Sequence, residues 1–121
     1  MTGARQILLV NRNPHNLELL ERVLDEAGYG TLEIADLDAF DRALDQPERL
    51  TLALVDITGF DAAIWARCER LREHGISLLL VAPRQSAAVA EAGERHGARS
   101  VLVKPLIVRE LVNLVDLLAE V

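Results

Sequence analysis

Residues 7–20 read ILLVNRNPHNLELL. Four apolar residues, Ile7 to Val10, stop abruptly at Asn11-Arg12-Asn13-Pro14, and a helical pattern follows. The apolar run is continuous rather than alternating, which is how a strand buried on both faces reads. Asn13 suits a helix N-cap, and Pro14 suits the first helical position, where an N–H has no partner in any case. Leu17, Leu20, Leu24 and Ala27 then fall on one helical face, and Gly28 and Gly30 end it. Four more short apolar runs, at 31–34, 52–55, 78–81 and 101–103, alternate with helical stretches. Leu37, Phe40 and Leu44 mark the second helix, with Asp36 as its cap, and Ile64, Cys68 and Leu71 mark the third. Leu111, Leu114, Val115 and Leu118 stripe the last. Residues 85–96 are mostly alanine and charge, with Val89 as the only bulky apolar residue and Gly93 inside, so this fourth helix packs most weakly.

Strand then helix, five times, predicts an α/β fold: a five-stranded parallel sheet with helices on both faces, joined by right-handed crossovers. The common order for such a chain is 2-1-3-4-5, a flavodoxin-like arrangement. Ligands then sit outside the carboxyl ends of the strands, where the order reverses between the first and third.

The chain has 121 residues, which suits one domain over residues 1–121. Half the residues are hydrophobic but only 3% are aromatic, so Leu, Val, Ile and Ala must build the core. The net charge of -6, with no basic stripe, argues against direct nucleic-acid binding. No apolar run approaches the roughly 18 residues of a membrane span, and no signal segment is expected. Cys68 is the only cysteine, which fits a cytoplasmic location and a core role for that side chain. His74 and His96 close two helices beside glycines, which fits cations at negative helix ends better than metal ligation.

The carboxyl edge should carry Asn11, Arg12 and Asn13 from the first strand, Asp56 through Gly59 from the third, Ala82-Pro83 from the fourth and Lys104-Pro105 from the fifth. With LALVD ending in Asp56 and GARSVLVKPL holding Lys104-Pro105, the chain resembles the response-regulator receiver domain, the CheY-like phosphoacceptor module of two-component signalling. The resemblance spans nearly the whole chain in strand order and spacing. It implies that Asp56 is the phosphoacceptor, that Lys104 contacts the phosphoryl group, and that the Thr58 carbonyl stands where the family supplies a backbone metal ligand. The Lys104-Pro105 bond stands where the family often has a cis peptide.

The departures are as informative. The family's two metal-binding acids fall at Asn11 and Arg12, its hydroxyl residue at Ala82 and its switch aromatic at Val101. Mg²⁺ wants hard oxygen ligands, and a guanidinium offers none. The expectation is therefore no cofactor, with Mg²⁺ weak or absent. Arg12 is expected either to turn into the pocket and, with Lys104, pair with Asp56, or to extend into solvent.

Two functional readings of the resemblance follow. One is a receiver-like domain of a phosphorelay, fed by a sensor histidine kinase or phosphotransfer protein and read by an effector protein or a fused output domain. The other is a phosphorylation-independent pseudo-receiver serving as adaptor or dimerisation module. Ile107, Val108 and Val112 add bulk beyond the last helix's stripe and are expected either to dock a partner or form a homodimer, or only to widen that helix's core contact. A small α/β enzyme or nucleotide-binding protein is the less favoured class, and the chain is expected not to be an enzyme. No Gly-rich phosphate loop follows the first strand, and no G-x-S-x-G elbow is present.

Overall fold

The computed structural model describes residues 5–119. Strands β1 (Gln6–Val10), β2 (Thr31–Ile34), β3 (Leu50–Asp56), β4 (Ser77–Ala82) and β5 (Ala98–Val103) alternate with helices α1 (Pro14–Glu26), α2 (Leu37–Leu44), α3 (Ile64–Glu73), α4 (Ala87–Arg95) and α5 (Val108–Ala119). All strand pairs are parallel, and the order is β2-β1-β3-β4-β5, as the sequence predicts.

Successive strand residues point to opposite faces, and both faces are covered. Ile7, Leu9, Leu52, Leu54, Leu79 and Val81 pack with Leu17 and Leu24 of α1 and with Leu111, Val115 and Leu118 of α5. On the other face Leu8, Val10, Ala53, Val55, Leu78 and Leu80 pack with Phe40 and Leu44 of α2 and with Ile64, Cys68 and Leu71 of α3. This two-sided burial is why the runs are continuous in sequence. Cys68 is fully buried, and that burial pushes its thiol pKa up to about 12, so it behaves as a core residue.

Local chemistry starts each helix. The Asn13 side chain accepts from the backbone N–H groups of His15 and Asn16, that of Asp36 from Ala39, and that of Ser86 from Val89. The Ser86 cap starts α4 at Ala87, two residues later than the alanine-rich stretch alone suggests.

An ion pair that sequence reading did not find joins α2 to α3. Arg67 donates in parallel to both Asp41 oxygens at 3.0 Å and also to the Ala63 carbonyl at 3.1 Å. The planar fork, with a further contact from Arg70 to Asp41 at 3.4 Å, ties the two helices together.

Helix α4 meets the sheet through Gly93, its only buried residue. A Cβ there would lie 2.7 Å from Leu80 Cδ1 and 3.2 Å from Val101 Cγ2. Gly93→Ala therefore sets a helix-propensity gain of about 1 kcal/mol against overpacking of about 1–3 kcal/mol. Leu80 is fully buried and has nowhere to move, so overpacking should win. Thermal melts of Gly93→Ala are expected to show a less stable protein. An unchanged or raised melting temperature would mean that α4 rides away from the sheet at no cost.

Candidate functional site

The carboxyl edge brings Asn11, Asp56, Thr58 and Lys104 together. Asp56 ends β3 and is 4% exposed, and Asn11, one residue past β1, is 5% exposed. They are the buried polar residues among those described. Lys104, just past β5, reaches across β4 to place Nζ 2.7 Å from Asp56 Oδ2. The same oxygen accepts from Asn11 Nδ2 at 3.1 Å. Asp56 Oδ1 accepts from the Thr58 backbone N–H at 2.9 Å, an Asx-type turn that folds the β3–α3 loop over the carboxylate. Lys104 Nζ also donates to Thr58 Oγ1 at 3.2 Å.

A buried carboxylate without such partners would be strongly disfavoured. Here one ammonium, one amide and one backbone N–H satisfy three of its lone-pair positions. The pair is formally neutral, and it sits where the strand order reverses.

Arg12 takes the outer of the two directions open to it. It does not pair with Asp56. Its side chain lies along the rim, donates from Nε to the Gly59 carbonyl at 3.3 Å and sits 5.0 Å from the centre of the Phe60 ring. The reason is charge balance. Lys104 already neutralises Asp56, and a second cation turned inward would leave the pocket net positive. At the rim the guanidinium keeps water on one side and gains a carbonyl and an aromatic face on the other. Gly59 has φ +82°, and a Cβ there would lie 3.3 Å from Arg12 Cγ. Glycine thus meets both the backbone and the crowding requirement.

Asn11 turns its amide oxygen away from Asp56. Its Oδ1 accepts from the Asn13 backbone N–H at 2.8 Å, so the amide presents N–H rather than oxygen to Asp56. Ala82 ends β4, is buried, and contributes its carbonyl to the Lys104 N–H at 3.0 Å. Val101 is half-buried and packs near Gly93. The Lys104-Pro105 peptide is cis.

The Mg²⁺ that the family resemblance implies does not suit this donor set. Asp56 is the one carboxylate in the pocket, the Asn11 oxygen is committed to Asn13, and Arg12 cannot ligate a cation. Among the described residues, no three His, Cys, Asp or Glu side chains gather as a metal would need.

The sequence brought out Asp56 and Lys104 but missed the Thr58 hydroxyl, the Thr58 N–H and the Arg12–Gly59 contact. The Asp-x-Thr spacing of an Asx turn was a usable signal for the N–H. Nothing local announces the others, which depend on residues 46 or 47 positions away.

The fold is the one found in solved receiver domains. No family model matches the sequence, and none of the curated proteins compared with it does. Solved structures do. A candidate pilus assembly-related protein of Burkholderia pseudomallei is 25% identical, with a TM-score of 0.83 over 99% of this chain and 92% of that one. A candidate response regulator of Chloroflexus aurantiacus is 26% identical, with a TM-score of 0.80 over 98% and 100%. A CheY-like receiver domain protein of Methanospirillum hungatei is 21% identical, with a TM-score of 0.81 over 98% and 95%.

Removing either partner of the ion pair should not cost the same. Lys104→Met leaves a buried charge, and losses for broken buried pairs reach about 3–5 kcal/mol. Asp56 keeps two hydrogen bonds, so about 2 kcal/mol is expected. Asp56→Asn leaves a lysine that is one-third exposed and can turn to water, so about 1 kcal/mol is expected. Urea unfolding at neutral pH should rank the variants in that order. The reverse order would mean that water reaches Asp56 freely.

Proposed function

We propose that this chain is a receiver-like signalling module with Asp56 as its phosphoacceptor and protein–protein contact as its output. The observation that carries the reading is the buried Asp56 carboxylate held by Lys104 at 2.7 Å at the switch point of a 2-1-3-4-5 sheet. A carboxylate oxygen so placed can attack the phosphorus of a phosphodonor while the bond from phosphorus to the donor's imidazole nitrogen or acyl oxygen breaks and that group leaves with the bonding pair. Lys104 can balance charge on the transferred group. A sensor histidine kinase or phosphotransfer protein is the matching donor. The module acts without a metal, its loop held instead by the Arg12 contact to Gly59. Output passes to an effector protein or a fused domain across the face where Val103, Ile107 and Val108 are exposed, a face that also suits a homodimer.

The Arg12–Gly59 contact favours a second reading, a phosphorylation-independent adaptor. A guanidinium that ties the β1–α1 edge to the β3–α3 loop holds one arrangement whether or not phosphate arrives. The likeness to a candidate pilus assembly-related protein supports a setting in which such an adaptor serves an assembly rather than a gene-regulatory response.

One experiment separates the two. The protein is incubated with acetyl phosphate, with and without Mg²⁺, and its intact mass is measured. The expected result is addition of one phosphoryl group, at a rate that Mg²⁺ does not change, and none in Asp56→Asn. No adduct in the wild type under any condition leaves the adaptor reading standing. An adduct that requires Mg²⁺ overturns the metal-free pocket.

A further inference from the structure

On the face of the sheet covered by α1 and α5, a cavity of about 310 Å³ opens beside Asp56. That lies at the small end of the roughly 300–1,000 Å³ range of small-molecule sites. Helix α1 runs back along the sheet from the carboxyl edge, so Asn16, Leu20 and Val23 descend one wall a turn at a time. Leu106, between β5 and α5, also lines it. The floor includes Leu54 and Val81, both at most 2% exposed, so the cavity reaches down to the sheet itself.

The polar lining residues gather at the carboxyl-edge end: Asn11, Asp56, Lys104 and Asn16. Their remaining capacity can be counted. Lys104 has three N–H groups, of which two go to Asp56 and Thr58. Asn11 uses one of its two amide N–H groups on Asp56. Asp56 keeps a free lone-pair position beyond the three contacts described. Donors and an acceptor therefore remain side by side, while formal charge at this end sums to zero. A charged head would meet one like and one unlike charge in this neutral pair and gain little net attraction for the hydration it gives up, whereas a hydroxyl or carboxamide gives up far less.

We propose that this cavity binds a small amphipathic molecule with a compact apolar body and a neutral hydroxyl or carboxamide head directed at Asn11 and Lys104. The depth favours a small molecule over a partner helix. A helix laid across the rim would reach the sheet with one side chain and leave the polar end unfilled. Occupancy does not require that Asp56 be phosphorylated, so the site goes beyond the signalling function proposed above.

The test is a titration followed in amide ¹H–¹⁵N spectra, using 1-hexanol, hexanamide, hexanoate and hexylammonium as probes. Saturating shifts at Val10, Leu20, Val23 and Leu106 are expected with the first two. The two ions should bind at least about tenfold more weakly, the equivalent of ~1.4 kcal/mol. Val23→Phe, which fills the cavity, should abolish the shifts while the melt remains cooperative. If that variant does not fold, Asn16→Leu at its half-exposed position should weaken both neutral probes. The proposal is overturned by shifts that stay linear, by undiminished binding in a folded Val23→Phe, or by equal binding of the ions. It is equally overturned if an amphipathic helical peptide saturates these amides and 1-hexanol does not.

Discussion

The Lys104–Asp56 ion pair draws the carboxyl edge together. Asp56 leaves β3 and Lys104 leaves β5, with β4 between them, so the contact spans three strands at the end where their hydrogen-bonded ladder stops. Burial makes the pair consequential. A carboxylate at 4% exposure cannot rely on water, so its environment must hold donors at fixed places. Thr58 shows the effect: its N–H goes to Asp56 and its hydroxyl to Lys104, so one residue of the β3–α3 loop is fixed by both members of the pair. From there the turn through Gly59 and Phe60 leads into α3, which the Asp41–Arg67 fork ties to α2.

The pocket's charge balance explains its composition. A dication can hold several carboxylates together because it brings two positive charges and strong oxygen affinity. Remove the metal-binding acids and the need for that charge disappears as well. Asn11 then does what a neutral residue can, giving an N–H to Asp56 and taking one from Asn13. Arg12 has no uncompensated acid to meet and takes a carbonyl and a ring at the rim instead. The two substitutions at the end of β1 thus act differently: one joins the buried network, the other ties two loops together outside it.

These same residues mark where sequence stopped being legible. The strands through Ile7, Leu54 and Leu79 could be read because burial on both faces leaves only apolar residues there. The first half of β5, Ala98-Arg99-Ser100, could not, because an edge strand is half-exposed and tolerates polar side chains. Helix starts at Asn13 and Asp36 were visible because capping is local chemistry. The Asp41–Arg67 fork was not, because it joins residues 26 apart whose types are ordinary on any helix surface. Asp56 and Lys104 came through the strand-end argument and the resemblance together. The direction of Arg12 did not, since side-chain direction at a strand exit is decided by the charge already present around it.

The altered edge also bears on how a change at Asp56 would travel. Ala82 has no hydroxyl to follow a phosphoryl oxygen, and Val101 has no ring to swing between an inward and an outward position. Instead, Val101 lies against Gly93, where the missing Cβ brings α4 close to Leu80 and Val101. The far end of α4 is held from the other side, where Trp65 of α3 stacks on His96 with ring centres 5.1 Å apart and Arg72 donates to the Arg95 carbonyl at 3.0 Å. Helix α4 is therefore fixed by close packing at Gly93 and by two contacts from α3, not by a side chain with two discrete positions. A bistable element is what turns a local charge change into a surface change. The remaining direct connections from Asp56 are through Lys104, Thr58 and Asn11: the first leads by way of Pro105 and Leu106 into α5, the second into the loop that Arg12 holds, and the third through Asn13 to the start of α1. The contacts that lead away from Asp56 therefore run to the starts of α5 and α1 and to the loop held by the Arg12–Gly59 contact, all beside the carboxyl edge rather than across α4.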